Sequence, residues 1–515
     1  MSKPGLELGP RFWGLPYDKW RPMQQVTADS IAASSEQVVV VDAPPGSGKS
    51  GIALAAIRSG GETGFVVTQN HTLQDQYIEL GGHRMESMKG RNTYRCVLPE
   101  LDPSEATQIG MNPAETVTVD MAPCTVGYKC PVKSECPYYI HKKRVADSPE
   151  SVHNYSYLLA ENEFDGTFTG ADLIVCDEGH LLEGVLRQAK SVEIQFANKA
   201  PLVPEEAQKA ARKMLADVKA KIPTRRKFSA EGIRLRQQKE MLQDIIKMDP
   251  SNYIMRPGTQ FGQVTLVPVD IPSVTDPFLR VGKNKKMVIM SATILDPHYY
   301  GKLMHLNSFD YLPVQSTFSP DRRPIIYRPI GSVSRDSLQS VLPKMAEEIG
   351  SIMNQYRGVN GVIHTVSYDM TDMLVEAIRR SNNADVLNSA IIHGRDASRE
   401  GVIEEFRKSG ADNPGAWLFS PSVTHGEDFP YNQVRVQVIP KMPYPYIGDP
   451  LVRAKMDRDP MWYSYTTMQT LWQMYGRACR ADDDAGITFI LDSNFQKELL
   501  KYPQFTPQYI REAIQ

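Results

Sequence analysis

Cysteine is scarce in this chain, which has six among its 515 residues. This scarcity excludes the disulfide framework of a small secreted protein. No apolar run is long enough to span a bilayer, and the first residues lack the apolar core of a signal peptide. We therefore expect a cytoplasmic protein without membrane contact. The formal net charge is −2, so no excess of positive charge indicates nucleic acid, although a local basic track could still bind a phosphate backbone.

Four of the six cysteines cluster in the sequence, with the spacing C-x27-C-x5-C-x5-C: Cys96, Cys124, Cys130 and Cys136. This spacing matches neither a zinc ribbon nor a bacterial ferredoxin. Four thiolates suit zinc or a 4Fe–4S cluster, and the spacing leaves both open. The two remaining cysteines, Cys176 and Cys479, lack any such pattern and are interpreted as small buried hydrophobes.

The length of the chain predicts two to four domains. Short β-branched runs alternate with helical stretches, a pattern typical of stacked βαβ units with parallel sheets. The runs form two sets, at residues 38–41, 65–68, 173–176 and 287–290, then at 361–364, 417–419, 434–439 and 487–491. We predict a first α/β domain at residues 1–92, 141–185 and 263–300 and a second at 301–515. A cysteine insertion at 93–140 and a largely helical insertion at 186–262 would interrupt the first.

A phosphate loop follows the first β-branched run, at residues 43–50. Gly46 and Gly48 tolerate the dihedral angles that turn backbone N–H groups inward toward phosphate oxygens. Lys49 would place its charge on the β- and γ-phosphates. Ala43 departs from the usual pattern, which begins with glycine. The predicted nucleotide-binding residues of this loop are Gly46, Ser47, Gly48, Lys49 and Ser50, the last as a ligand of Mg²⁺.

Two carboxylates follow the apolar run 173–176, so they lie at the mouth of a predicted strand. Transfer of a phosphoryl group to water needs one carboxylate linked to Mg²⁺ and another that orients the water. We assign the first role to Asp177 and the second, that of general base, to Glu178. Taken alone, such a pair could be an ordinary surface cap; together with the phosphate loop it indicates catalysis.

A polar stripe lies near the end of the chain. Gln473, Arg477 and Arg480 are spaced so that a helix would place them on one face. Arginine suits the recognition of phosphate because its charge is permanent and its fork matches phosphate oxygens. Delivered by the second domain, the stripe could reach the γ-phosphate held by the first. The alternative is a set of surface side chains that make salt bridges.

Over residues 20–495 these motifs, in this order, resemble the XPD/DinG-type iron–sulfur helicases of superfamily 2. Further segments carry the resemblance, at residues 21–24, 68–76, 89–96, 154–159, 177–180, 290–293, 426–428, 439–444 and 473–480. The resemblance implies two tandem RecA-like motor domains, with residues 186–262 as a shortened arch. It implies that Arg21 and Gln24 contact the adenine base and that Asp428 belongs to the site. Residue 425 departs from the family, because histidine stands where glutamate is usual.

The resemblance implies an ATP-dependent DNA helicase that moves 5′→3′ and uses ATP and Mg²⁺, with the four clustered cysteines as ligands of a 4Fe–4S cluster. Single-stranded DNA and forked duplex DNA would be its substrates, and we expect a monomer. Two alternatives remain. One is a nucleic-acid translocase or nucleoprotein remodeller that does not separate strands. The other is a P-loop small-molecule kinase, which predicts neither a second α/β domain nor the polar stripe.

Overall fold

The computed structural model describes residues 9–61, 63–69, 71–112, 116–164, 166–197, 200–222, 228–412, 414–423, 429, 431–478 and 484–515. Within these ranges the strands are β1 (Val38–Asp42), β2 (Gly64–Thr68), β3 (Met85–Met88), β4 (Glu150–Asn154), β5 (Leu173–Asp177), β6 (Val192–Gln195), β7 (Tyr253–Pro257), β8 (Gln263–Pro268), β9 (Lys286–Ser291), β10 (Asp310–Pro313), β11 (Ile325–Gly331), β12 (Gly361–His364), β13 (Ala390–Ile392), β14 (Trp417–Ser420), β15 (Val436–Ile439) and β16 (Ile487–Asp492).

The α-helices of the described ranges are α1 (Gln24–Ala33), α2 (Lys49–Gly60), α3 (His71–Gly81), α4 (Leu98–Leu101), α5 (Pro103–Ile109), α6 (Pro137–Asp147), α7 (Tyr155–Phe164), α8 (Leu182–Ala189), α9 (Pro204–Lys221), α10 (Ala230–Lys247), α11 (Pro297–Leu303), α12 (Leu338–Gln355), α13 (Tyr368–Arg379), α14 (Arg399–Asp412), α15 (Pro450–Arg458), α16 (Pro460–Tyr475), α17 (Asn494–Lys501) and α18 (Gln508–Arg511). None of these helices is long and apolar enough to cross a membrane.

Two parallel sheets form the framework. The first has the strand order β10-β1-β9-β5-β2-β4-β3, and the second has the order β11-β16-β15-β12-β14-β13. Several of their strands are nearly continuous apolar runs, as is typical of parallel sheets covered on both faces, and the side chains of β2 and β5 are buried along their whole length. The predicted α/β fold with two tandem motor domains is confirmed in this architecture.

The boundary between the two domains lies later than the sequence indicates. Strand β10 follows the boundary predicted at residue 300, yet it pairs with β1 in the first sheet, where Val39 faces Asp310. The second sheet begins with β11, whose Ile325 faces Thr488 of β16. The run that forms β10 is short and only partly buried, which explains why the pattern of apolar residues does not reveal it.

The second insertion, predicted to be largely helical, contains two long helices, α9 and α10, which pack against each other. An antiparallel sheet of order β6-β8-β7, which the sequence pattern does not predict, adjoins these helices, and its strand β8 lies beyond residue 262, where the insertion was predicted to end. The insertion contacts the second motor domain as well, since Arg256 of β7 forms an ion pair of 2.6 Å with Asp449, the N-cap of α15. The second insertion also contacts the cysteine insertion, since the ring centroid of Phe228 lies 4.7 Å from that of Tyr128.

Helix α16 joins the two motor domains. The Tyr465 hydroxyl donates to the carbonyl oxygen of Ile294 at 2.9 Å, and Tyr465 packs against the rings of Tyr299 and Phe505. These buried contacts hold α16 against the first motor domain, and both domains contribute side chains to one cleft.

Candidate nucleotide-binding cleft

The phosphate loop connects β1 with α2. Gly46 and Gly48 have φ angles of 76° and 77°, in the left-handed region that glycine alone adopts without strain. A Cβ atom at Gly48 would also lie 2.1 Å from the side-chain nitrogen of Gln24. The hydroxyl of Ser47 is buried and has no hydrogen-bond partner among the described residues. The loop therefore has the backbone shape, and an unused polar group, that suit a phosphate chain.

Arg21 and Gln24 brace this loop from outside. The Arg21 guanidinium donates to the carbonyl oxygen of Gly46, and the Gln24 side chain donates to that of Gly48 at 3.0 Å. The two residues are also joined, since the Arg21 amide donates to Gln24 Oε1 at 2.7 Å. A cavity of about 290 Å³ adjoins them and is lined by Tyr17, Lys19, Arg21, Gln24, Gly48, Ser50, Gly51 and Leu80. This cavity beside the phosphate loop offers space for the base of a bound nucleotide.

Asp177 and Glu178 stand at the end of β5, opposite the loop. Asp177 is 3 % exposed, and burial raises its pKa to about 6, with the charge of Glu178 adding to the rise and Lys49 opposing it. The hydroxyl of Tyr77 and the amide of Glu178 each donate to the Asp177 carboxylate at 2.9 Å. Glu178 has a φ of 55°, which turns its side chain away from the strand. The oxygen donors on Asp177 and Ser50 are of the kind that Mg²⁺ prefers.

A chain of side-chain contacts crosses from this site to the second domain. His180 Nδ1 lies 3.0 Å from Ser291 Oγ and 3.3 Å from Glu178 Oε2. Gln473 donates to Thr293 Oγ1 at 2.7 Å and lies 3.4 Å from His180 Nδ1. Burial lowers the pKa of His180 to about 4, so the imidazole is neutral at pH 7. The motifs that hold His180 and Thr293 are visible in the sequence, but no role was predicted for these two residues.

The cleft has a volume of about 880 Å³, and both domains line it. The predicted residues on its wall are Arg21, Gly46, Gly48, Lys49, Ser50, Asp177, Glu178, Gln473 and Arg477. Arg477 is 5 % exposed, and a Cβ atom at Gly476 would lie 2.8 Å from Pro45 Cγ, so the end of α16 touches the phosphate loop. Arg477 is therefore not a surface side chain. Arg480 and Asp428 lie outside the described residues.

Several residues on this wall were not predicted. Helix α14 contributes Glu400, Glu404 and Arg407, and α3 contributes Thr72, Leu73 and Gln76. The sequence of α14 gives no sign that its residues line a site, because a charged face on a predicted helix is usually exposed to solvent. The segment that holds α3 carries part of the family resemblance, but none of its residues was predicted to line the nucleotide site.

The four clustered cysteines are free of disulfide bonds, Cys136 being buried and the others partly buried. The pKa of the Cys96 thiol is raised to about 11, chiefly by burial, and negative charge on the other three thiols contributes to the rise, so these three lie within electrostatic reach of Cys96. Across the described ranges, however, no group of three or more His, Cys, Asp or Glu side chains is arranged to hold a metal ion. The donor chemistry suits zinc or an iron–sulfur cluster, whereas the arrangement of the side chains does not assemble a site. Cys176 is fully buried, as expected.

Comparison with known proteins adds to this geometry. Residues 350–513 match the helicase C-terminal domain family. A stretch of 123 residues is 25% identical to the helicase subunit XPD/RAD3 of general transcription and DNA repair factor IIH from Saccharomyces cerevisiae; it spans 22% of this chain and 16% of the yeast protein. Among solved structures, an XPD helicase aligns with a TM-score of 0.61 and 15% identity over 94% of this chain and 96% of its own, and S. tokodaii Xpd4 with 0.56 and 14% over 94% and 98%.

The chain therefore has the fold of the two-domain helicases, and residues 350–513 of its second domain match the helicase C-terminal domain family. Its fold is that of solved XPD helicases, and its sequence motifs resemble those of the XPD/DinG-type helicases.

Proposed function

We propose that the protein is an ATP-dependent DNA helicase that moves 5′→3′ on single-stranded DNA and opens forked duplexes as a monomer. The observation that carries the proposal is the cleft of about 880 Å³, where the phosphate loop and carboxylates of one motor domain meet Gln473 and Arg477 of the other. A site shared between two domains lets nucleotide turnover change their relative position. The second parallel sheet disfavours the small-molecule kinase.

ATP binding would begin at the phosphate loop. Lys49 offers a cation to the β- and γ-phosphates, and the N-terminus of α2 adds its partial positive charge. Ser50 and Asp177 would hold Mg²⁺, which neutralises phosphate charge when it is bound. Arg21 and Gln24, next to the smaller cavity, would contact the adenine base.

Glu178 is the proposed general base for hydrolysis. Its side chain is 28% exposed on the cleft wall, so it is open to a water molecule, and it lies 3.3 Å from the neutral His180. His180 would thus help to orient the Glu178 carboxylate and, being uncharged, would not neutralise it. Arg477, buried on the opposite wall, would stabilise charge that develops on the γ-phosphate. We extend this role to Arg480, and we keep Asp428 as a member of the site.

Single-stranded DNA would follow a track on the first motor domain. A second cavity of about 620 Å³ lies between that domain and the cysteine insertion, and Arg91, Asn92, Asn154 and Tyr157 are on its wall. Helix α3 reaches both cavities, since His71 lines the second one and Thr72 lines the nucleotide cleft. This shared helix supports coupling between the two sites. The polarity comes from the family resemblance.

We infer further that Cys96, Cys124, Cys130 and Cys136 hold a 4Fe–4S cluster. Four free thiols in one insertion and their mutual electrostatic influence support this proposal. No step of the mechanism depends on the cluster; it would instead stabilise the fold of the insertion.

ATP hydrolysis with and without single-stranded DNA tests the proposal. DNA should stimulate the wild-type rate, and Glu178→Gln should lower the stimulated rate by at least about a hundredfold, because it removes the base while keeping the shape. Nucleotide affinity should survive in this variant. A wild-type rate that DNA does not change would favour the kinase over the helicase.

A further inference from the structure

Tyr77 lies in α3 and is fully buried between the phosphate loop and the end of β5. Its hydroxyl donates to Asp177 Oδ2 at 2.9 Å, and the side chain of Ser50 interacts with the same hydroxyl. The second carboxylate oxygen, Oδ1, accepts from the amide of Glu178 at 2.9 Å. One phenol therefore connects the two side chains that would bind Mg²⁺, although 100 positions of sequence separate Tyr77 from Asp177.

The hydroxyl of Tyr77 is not needed for packing. The ring belongs to an apolar cluster that includes Val41, Ile52 and Val175, where phenylalanine would fill nearly the same space. Burying a hydroxyl group destabilises the fold unless the group is hydrogen-bonded, and the Tyr77 hydroxyl donates its hydrogen bond to a carboxylate. Its position is thus explained by Asp177 and Ser50 rather than by the apolar core.

We propose that Tyr77 is a positioning residue, whose hydroxyl orients the Asp177 carboxylate and the Ser50 side chain toward the Mg²⁺ that accompanies ATP. This inference rests on the proposed function, because it concerns the same nucleotide site. Groups that hydrogen-bond to metal ligands fix the ligand orientation, and their loss typically weakens metal affinity by about 10- to 100-fold. The placement of Tyr77 on α3 also brings the metal site into contact with the helix that reaches the second cavity.

The test compares wild-type protein with Tyr77→Phe. The affinity for a fluorescent ADP analogue is measured by titration in EDTA and in a series of Mg²⁺ concentrations. In EDTA the two proteins should bind alike, because the phosphate loop is unchanged. The Mg²⁺ concentration that gives half of the full increase in affinity should rise about 10-fold or more in Tyr77→Phe. In the hydrolysis assay, the Mg²⁺ requirement should rise by a similar factor, while kcat at saturating Mg²⁺ should fall much less.

Tyr155→Phe is the matched control. Tyr155 is also buried, and its hydroxyl donates at 2.7 Å to the main-chain carbonyl oxygen of Asp177 rather than to the carboxylate. This variant should lose stability, as any removal of a buried hydrogen bond does, yet keep the wild-type Mg²⁺ response.

The outcomes distinguish a positioning role from a structural one. If Tyr77→Phe lowers the melting temperature but keeps the wild-type Mg²⁺ response, the residue is structural and the inference is wrong. The inference is also wrong if Tyr155→Phe shifts the Mg²⁺ response as far as Tyr77→Phe does. If wild-type protein binds the analogue without any effect of Mg²⁺, the proposed function and this inference both fail.

Discussion

Gln473 of the second motor domain donates a 2.7 Å hydrogen bond to the Thr293 hydroxyl of the first. Gln469, one helical turn earlier, donates at 3.0 Å to the carbonyl oxygen of the same threonine. Thr293 therefore holds one face of α16 against the end of β9, close to His180 and Glu178. We expect a change at the carboxylates to reach the second domain through this contact.

We expect the Gln473–Thr293 hydrogen bond to couple nucleotide hydrolysis to the position of α16. Gln473→Ala should reduce DNA-stimulated hydrolysis about 2- to 10-fold, the effect of losing a net 0.5–1.5 kcal/mol. A double-mutant cycle with Thr293→Ala measures the coupling, because two residues that act through one bond are not additive. Strictly additive losses would mean that the two side chains act independently.

Arg477 should matter more for turnover than for nucleotide affinity. Its guanidinium counts most where charge develops during the reaction, so Arg477→Ala should lower kcat about 100-fold or more. Arg477→Lys should recover only part of this loss, since lysine keeps the charge but lacks the fork. Arg379→Ala is the control, because this side chain is 61% exposed and pairs with Glu376 on its own helix. Wild-type turnover in Arg477→Ala would refute the assignment.

Much of this site could be predicted because its chemistry is local. The turn at Gly46 and Gly48 and the carboxylates after β5 depend on a few consecutive residues, so their patterns are visible in sequence. Tyr77 could not be assigned, because its role depends on a contact with Asp177 that only the parallel sheet creates. The same holds for α14, whose charged face becomes part of the cleft only when the two domains meet.

The strands of the fold likewise divide into those that the local sequence predicts and those that it does not. Strands that are continuous apolar runs, such as β5, could be predicted from the sequence. The strands β3, β4, β10, β11 and β13 and the sheet β6-β8-β7 could not. Strand β6 has a single buried residue, Ile194, among partly or fully exposed ones, so its pattern is too weak to identify. The flanking helices α9 and α10 are long and charged, so the sequence pattern of this segment is largely helical.

The cysteine proposal predicts colour and composition. Anaerobically purified protein should be brown and contain iron and acid-labile sulfide, and Cys124→Ser, Cys130→Ser or Cys136→Ser should bleach it and disorder the insertion. Cys176→Ser serves as the control, because this buried thiol lies in β5 away from the cluster of four. Colourless protein with one tightly bound zinc ion would show that the four cysteines bind zinc and not an iron–sulfur cluster.

Buried His153 should make the protein less stable in mild acid. Burial lowers its pKa to about 3, so the unfolded chain, with an ordinary histidine pKa of about 6.5, binds a proton that the folded chain does not. Stability is therefore lost as the pH falls below about 6.5, by about 1.4 kcal/mol for each pH unit down to about 3.

Denaturant unfolding at several pH values between 7 and 5 measures this dependence. His153→Phe should flatten it relative to wild type, even if it shifts the stability at pH 7. His83→Gln, at an exposed position in the same domain, should leave the slope unchanged. An unchanged slope in His153→Phe would show that this residue does not contribute to acid sensitivity.

If ATP turnover in the shared cleft drives strand separation, strand displacement should depend on the tail of the duplex. The decisive assay compares two duplexes that differ only in a 5′ or a 3′ single-stranded tail. We expect release of the 5′-tailed strand with ATP and Mg²⁺, little release from the 3′-tailed duplex, and none with Glu178→Gln. Activity should also fall steeply as salt rises, because binding neutralises backbone phosphates. Preferential opening of the 3′-tailed duplex would contradict the proposed 5′→3′ polarity. DNA-stimulated hydrolysis without strand release from either duplex would contradict the proposed helicase activity.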